Sequence, residues 1–137
     1  MRLILDTNVL VSALIQRNYP YFIIDCILAD RNLQLCVSDK LFTEYVDVLN
    51  REKFSRFADF HTRAQILLAD IESRSLKFEP TNTVDIISND ADNRLLELAE
   101  TCQADYIVTG NTTDFTMTEY KGTKIVSPKD CFELLNR

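Results

Sequence analysis

The feature that most constrains the fold is a series of short apolar runs, separated from one another by segments with helical periodicity. Runs that do not alternate between apolar and polar residues are typical of strands buried on both faces of a parallel sheet. The pattern therefore predicts an α/β fold, with helices covering both faces of a mostly parallel sheet. Ligands bind such sheets outside the carboxyl ends of the strands. The clearest runs are RLILD at 2–6, LQLCV at 33–37, DYIVTG at 105–110 and TKIVS at 123–127.

The chain is 137 residues long, and its two glycines and three prolines leave no linker or low-complexity segment. We therefore predict one domain over residues 1–137. The predicted strands cover 2–6, 33–37, 105–109 and 123–126, with a short extended piece within 76–87. The predicted helices cover 8–17, 20–31, 39–52, 56–74, 91–103 and 128–136.

The apolar runs are shorter than the roughly 20 residues needed to cross a bilayer. The first run is also too short, and wrongly flanked by Arg2 and Asp6, for a signal peptide. We therefore expect a cytoplasmic protein without membrane contact. The four cysteines lie far apart and lack histidine partners, which predicts buried apolar thiols rather than a zinc site or disulfides.

The charge balance is acidic, with 15 Lys and Arg against 21 Asp and Glu and a net charge of -6. This counts against a protein that binds nucleic acid by neutralising phosphates. Either the partner is not a polyanion, or some of the carboxylates hold metal cations. The single histidine, His61, is expected at the surface rather than as a catalytic acid.

Two aspartates stand where strand ends and helix starts meet. Asp6 follows the first strand, where it could also serve as a helix cap. Asp92 lies in the first turn of a helix, where it could simply favour the helix dipole while Asp90 supplies the cap. However, Asp92 shares a helix face with Leu95 and Leu96, which must pack on the sheet. An acid that points inward at a helix start favours a functional role.

Glu44 borders the apolar stripe of the helix SDKLFTEYVDVLNREKF. The structural alternative for Glu44 is an exposed pair with Lys40, four residues earlier, in the less favourable order. Asp47 precedes Arg51 by four residues, the favoured order, and is assigned to that surface pair.

The segment TGNTTDF follows another strand and carries Thr109, Gly110, Asn111 and Asp114. An Asx-type turn is the structural alternative for Asn111. Three or four acids at one sheet edge repel strongly, by about 4 kcal/mol for two charges ~4 Å apart, so raised pKa values or bound cations are required. Ligand sets made only of oxygen favour Mg²⁺ or Mn²⁺.

Taken together, the segments LILDTNVLVSAL, NDADNRLLELA and ADYIVTGNTTDF, with Glu44 between the first two, resemble the PIN-domain nucleases. The resemblance is closest to the VapC-like toxins of bacterial toxin-antitoxin pairs. It implies a three-layer α/β/α sandwich with a central, mostly parallel sheet of five strands. It also implies an endoribonuclease with one or two Mg²⁺ or Mn²⁺ ions, in which water attacks an RNA phosphodiester. A homodimer and a cognate antitoxin protein are the implied partners.

Carried over by position, three residues match the family acids: Asp6, Glu44 and Asp92. Asn8 and Ser12 match the small polar residues that support the first acid, and Thr109 and Asn111 are further supporting candidates. Many family members have Asp immediately after the TG pair, where this chain has Asn111. Asp114, three residues later, is therefore the candidate fourth acid and metal ligand.

Two other interpretations compete with a metal nuclease. A phosphatase of the haloacid-dehalogenase kind would use Asp6 of LDTN as a covalent nucleophile, but the second acid of its strand-end motif is missing. A PIN-fold interaction module that is catalytically weak or inactive is favoured by the acidic balance and by Asn111. The segment REKFSRFADFHTR at 51–63 is basic and aromatic, and it could either contact RNA or antitoxin or pack as a helix.

Overall fold

The computed structural model describes residues 1–137 as a six-stranded sheet flanked by six helices. The strands are β1 (Arg2–Leu5), β2 (Gln34–Val37), β3 (Leu76–Lys77), β4 (Tyr106–Val108), β5 (Glu119–Tyr120) and β6 (Thr123–Val126). The helices are α1 (Thr7–Ile15), α2 (Tyr19–Ala29), α3 (Asp39–Leu49), α4 (Phe60–Arg74), α5 (Asp90–Cys102) and α6 (Pro128–Leu135). Two 3₁₀ turns lie at Glu52–Arg56 and Thr112–Asp114.

The sheet has the strand order β3-β2-β1-β4-β6-β5, and all pairs are parallel except β5 with β6. The predicted α/β sandwich with five parallel strands is therefore confirmed. The sixth strand, β5, was not predicted because it is only two residues long and carries no periodicity. It pairs with β6 through a two-residue turn in which Lys121 and Gly122 both have positive φ, at 47° and 88°.

The ends of the helices differ from the sequence prediction, most clearly in α3, α4 and α5. The cap of α5 is Asn89, whose Oδ1 accepts from the backbone N–H of Ala91 and Asp92, so the alternative in which Asp90 supplies the cap does not hold. Helix α4 begins at Phe60 rather than near 56, since Asp59 has a φ of 59° that interrupts the helix. Helix α3 ends at Leu49, before position 51 is reached.

The early end of α3 removes the predicted surface pair of Asp47 with Arg51. An i,i+4 pair forms only when both residues lie on the same helix. Because Arg51 lies beyond the helix end, it forms no ion pair with Asp47, and that assignment was wrong.

The buried apolar side chains form one continuous cluster that includes most of β1, β2 and β4. Cys36, Cys102 and Cys131 are buried in it as free thiols, and Cys26 is half-buried, close to the prediction. The aromatic residues of segment 51–63 also pack inward, with the rings of Phe54 and Phe60 stacked at 4.7 Å. None of the helices is long and apolar enough to span a membrane.

Candidate active site at the carboxyl edge of the sheet

The strand order places a switch point between β1 and β4. The chain adds β2 and β3 on one side of β1 and later returns to add β4 and β6 on the other. Crevices at such points are the usual ligand sites of α/β sheets. The backbone N–H of Asp6 donates to the carbonyl of Val108 at 2.9 Å, so the ends of the two strands lie side by side. Asp6 and Thr109 therefore face each other across this crevice.

The side chain of Asp6 does not cap α1, although the residue stands at the cap position. Its Oδ2 instead accepts from Thr109 Oγ1 at 2.8 Å and from Asn8 Nδ2 at 3.3 Å. Asn8 is held in turn, because its Oδ1 accepts from the backbone N–H of Gly110 at 3.0 Å. Two donors, Thr109 and Asn8, thus fix one oxygen of Asp6, and its side chain does not act as a helix cap.

Glu44 reaches the same edge from α3. Its Oε2 accepts a short hydrogen bond from the hydroxyl of Thr7, the residue after Asp6. Its neighbour Tyr45 is fully buried and donates from its hydroxyl to the carbonyl of Leu5 at 2.5 Å. Burial raises the pKa of Tyr45 well above its usual value, and the charges of Asp6 and Glu44 act in the same direction, so this hydroxyl remains a donor. The two hydrogen bonds tie α3 to the end of β1.

Asp92 is buried at the start of α5, with 8% of its surface exposed. Its Oδ2 has no hydrogen-bond partner, although buried polar atoms are almost always paired. Asp114 is exposed and lies on the 3₁₀ turn that follows β4. The predicted inward orientation of Asp92 is therefore confirmed, and it leaves an unsatisfied carboxylate oxygen.

The four acids influence one another electrostatically. Burial, followed by the negative charges of Asp6, Asp114 and Glu44 in that order, raises the pKa of Asp92 to about 6. Burial also raises the pKa of Asp6, with a contribution from Glu44, while the hydrogen bond from Thr109 opposes the shift. The fold therefore places the other three predicted acids within electrostatic range of Asp92.

Two predicted supporting residues are not built into this network. Ser12 is exposed on α1, and its hydroxyl makes no hydrogen bond to Asp6 or Asn8. Asn111 is exposed, and only its backbone N–H takes part, donating to Thr109 Oγ1 at 3.1 Å. His61 is half-buried on α4 and bonds the carbonyl of Arg51 at 3.0 Å, so it belongs to the packing of segment 51–63 rather than to the acids.

Comparison with known protein families matches residues 2–113 of the chain to the PIN domain family. The match covers most of the chain. The protein belongs to the PIN-domain family. PIN domains are generally nucleases, which favours hydrolysis of nucleic acid over the phosphatase interpretation. No curated protein matches the chain.

Three residues of this PIN-domain site were not singled out by sequence reasoning. Thr7 stands where a helix-cap residue is common, and Tyr45 lies in the apolar stripe of α3, so neither residue is marked as functional by its pattern. Asn93 is fully buried; it accepts from the N–H groups of Ile86 and Ile87 and donates to the Ile87 carbonyl at 2.7 Å. The spacing gives no signal for Asn93, since its helix neighbours at 90 and 97 are charged and only the tertiary structure shows that it is buried.

The donor set of the PIN-domain site fits a hard divalent cation. All four candidate ligands are carboxylates, and Asp92 Oδ2 is buried without a partner. In this arrangement no group of three or more His, Cys, Asp or Glu side chains stands in position to hold a metal ion. Thr7 engages one oxygen of Glu44. The fit therefore rests on the chemistry of the donors and on the unsatisfied oxygen, not on a formed coordination shell.

The raised pKa of Asp92 predicts how stability changes with pH in EDTA. The carboxyl has a pKa of about 6 in the folded protein, against an ordinary value of 3.8. Between pH 3.8 and about 6, Asp92 has lost its proton in the unfolded state but keeps it in the folded state. Asp92 therefore stabilises the folded protein below pH 3.8, and this stabilisation is lost as the pH rises to about 6. The free energy of unfolding of the wild type should therefore fall over this range relative to that of Asp92→Asn. Urea unfolding across the range measures it, and a pH-independent difference between the two proteins would contradict the shift.

Proposed function

We propose that this PIN-domain protein is a metal-dependent endoribonuclease that uses Mg²⁺ or Mn²⁺ to hydrolyse RNA phosphodiester bonds. The observation that carries the proposal is the buried, unpartnered Oδ2 of Asp92 beside the β1–β4 switch point, within electrostatic range of Asp6, Glu44 and Asp114. A cluster of this kind is stable when a cation neutralises it. The acidic net charge of the chain then does not exclude a polyanionic substrate.

Asp6, Glu44 and Asp92 would hold the cation, and Asp114 would contribute to a second one. A bound divalent cation supplies Lewis acidity toward the phosphate and makes water nucleophilic near neutral pH. The protein's own residues fix the ligands. Thr109 and Asn8 hold one oxygen of Asp6, and Thr7 orients Glu44.

We expect Mn²⁺ to raise the melting temperature of the wild-type protein, because a cation that binds only the folded state stabilises it. The increase should be smaller near pH 5 than above pH 7, since Asp92 has a pKa of about 6 and must lose its proton to bind. The same preparation should cleave mixed single-stranded RNA with Mn²⁺ and not with EDTA. Failure of Mn²⁺ to stabilise the protein, or equal cleavage in EDTA, would overturn the proposal.

A PIN-fold interaction module is the second candidate function. It is favoured by Asn111, a neutral residue that is exposed where many PIN domains carry an acid. This candidate predicts no heat of Mn²⁺ binding by calorimetry and no cleavage of RNA. The nuclease proposal predicts a measurable heat of Mn²⁺ binding and cleavage of RNA.

Within the nuclease proposal, we place the protein as the toxin of a toxin-antitoxin pair that acts as a homodimer in the cytoplasm. The support is the resemblance of its motifs to those of VapC-like toxins. Expression in a bacterial host should arrest growth for the wild type and not for Asp6→Asn, and co-expression of a cognate antitoxin should restore growth. Equal growth with the two proteins would contradict the toxin role, and a monomer by light scattering would contradict the dimer.

A further inference from the structure

An open hollow of about 630 Å³ lies beside the acid site, on the side of Asp114. It is formed by the segment that leads from β4 to β5, together with Ile125 of β6. Thr113 and Phe115, the chain neighbours of Asp114, both line it. Asp114 is close enough to Asp92 for its charge to raise the pKa of that carboxyl. The hollow therefore begins one residue away from a candidate metal ligand.

Backbone hydrogen bonds hold the wall of the hollow in place. At one end, the N–H of Phe115 donates to the Thr112 carbonyl at 3.2 Å, and the Phe115 side chain is buried. At the other end, the N–H of Ile125 donates to the Thr118 carbonyl at 2.9 Å. The two bonds fix both ends of the segment, and the hollow is therefore part of the fold.

The lining of the hollow combines apolar surface with free hydroxyl groups. Its apolar part comes from Phe115, Met117 and Ile125. Its hydroxyls belong to four threonines, Thr112, Thr113, Thr116 and Thr118. None of these four hydroxyls forms a hydrogen bond within the protein, whereas the hydroxyl of Thr109 donates to Asp6. A flat heteroaromatic ring can pack on the apolar part while its edge bonds to the hydroxyls.

Glu119 is the one charged residue that lines the hollow. It is exposed, and although Lys124 stands opposite it in the ladder of β5 and β6, the two side chains form no ion pair. Both oxygens of the Glu119 carboxylate are therefore free to accept hydrogen bonds. Because the lining contains a carboxylate and no cation, the hollow does not suit a phosphate. It suits an uncharged ring that donates N–H bonds.

We propose that the hollow binds an unpaired guanine base of the RNA strand, next to the phosphate that is cleaved at the acids. This inference rests on the proposed nuclease function, and it names the feature of the substrate that the site selects. Guanine presents two adjacent N–H donors and the acceptor O6 on one edge, so the two oxygens of Glu119 match the donors and a threonine hydroxyl matches O6. Uracil, cytosine and adenine each present one donor group beside acceptors, which a carboxylate repels.

The test measures where short single-stranded RNAs are cut in the presence of Mn²⁺. Each RNA is an oligouridine with one guanosine, adenosine or cytidine at a fixed position. The wild type should cleave next to guanosine with a kcat/KM about tenfold above that for uridine, the discrimination that one bidentate base contact provides. Inosine keeps N1–H and O6 but lacks the 2-amino group, so its preference over uridine should be about threefold.

Glu119→Gln replaces one acceptor oxygen by a donor at nearly constant shape. The preference for guanosine over uridine should disappear, while cleavage of plain oligouridine and the melting temperature in EDTA should change little. The ratio of the two kcat/KM values is the readout, because the loss of a negative charge acts on every RNA alike.

The matched control is Glu133→Gln. Glu133 is an exposed residue of α6 that forms no ion pair and does not line the hollow. Its substitution removes the same charge and should leave the preference for guanosine unchanged.

The outcomes separate this inference from the function on which it rests. If the wild type cleaves RNA without a preference for guanosine, or if Glu119→Gln retains that preference, the guanine site is wrong and the nuclease stands. If Glu133→Gln abolishes the preference as well, the effect is a general one of surface charge and the site is again wrong. If the wild type cleaves no RNA in the presence of Mn²⁺, both proposals fall.

Discussion

Asp6→Asn and Asp92→Asn are each expected to reduce metal-dependent RNA cleavage by more than about a hundredfold, because removing residues that only support metal ligands already costs 10- to 100-fold. Each substitution removes one charge at nearly constant volume. The metal-free proteins should consequently be as stable as the wild type or more stable, since repulsion among the four acids is relieved. Initial rates of cleavage and thermal melts in EDTA measure the two effects.

Two further substitutions make this test specific. Asp47→Asn changes an exposed acid of α3 that forms no ion pair, so cleavage should be unchanged. Asp114→Asn should have an intermediate effect, because Asp114 is exposed and acts on Asp92 through charge. If Asp6→Asn cleaves at the wild-type rate, the acids do not form a metal site.

Asn93→Ala is expected to lower the free energy of unfolding by about 3 kcal/mol, and the melting temperature by about 10 °C. The fully buried Asn93 side chain makes all of its hydrogen bonds to the backbone of Ile86 and Ile87, at 2.7 to 3.2 Å. Truncation leaves two N–H groups and one carbonyl without partners, and each unsatisfied buried group costs roughly 1 to 3 kcal/mol. Urea denaturation gives the change directly.

Asn136→Ala is the matched control, because Asn136 is exposed and donates only to the Phe132 carbonyl of its own helix. Its effect should stay within about 0.5 kcal/mol. A loss of less than 1 kcal/mol for Asn93→Ala would mean that water replaces the side chain, and that segment 84–87 is not held to α5 by this residue. Cleavage by Asn93→Ala is informative as well, since the neighbouring Asp92 depends on the same turn of helix.

The sequence by itself determined the layers of the fold and the edge on which the acids meet. Continuous apolar runs such as 2–5 and 106–108 are typical of strands covered on both sides, and their parallel packing brings Asp6 and the 109–114 segment to one edge. Helical periodicity was sufficient to predict that Asp92 points inward, because Asp92 shares a helix face with Leu95 and Leu96. These are local properties, and local spacing is enough to predict them.

Only the tertiary structure decided which partners each acid has. The hydrogen bonds of Thr109 to Asp6 and of Thr7 to Glu44 join residues 103 and 37 positions apart. No local spacing encodes such contacts, because they exist only after β1, β4 and α3 have packed together. The ion pairs also depended on packing: Asp47 has no ion pair with Arg51 because α3 ends before Arg51, and Lys40 forms no ion pair with Glu44. The position at which a helix ends depends on how all the neighbouring elements pack against it. This packing energy outweighs the few tenths of a kcal/mol that a surface ion pair contributes.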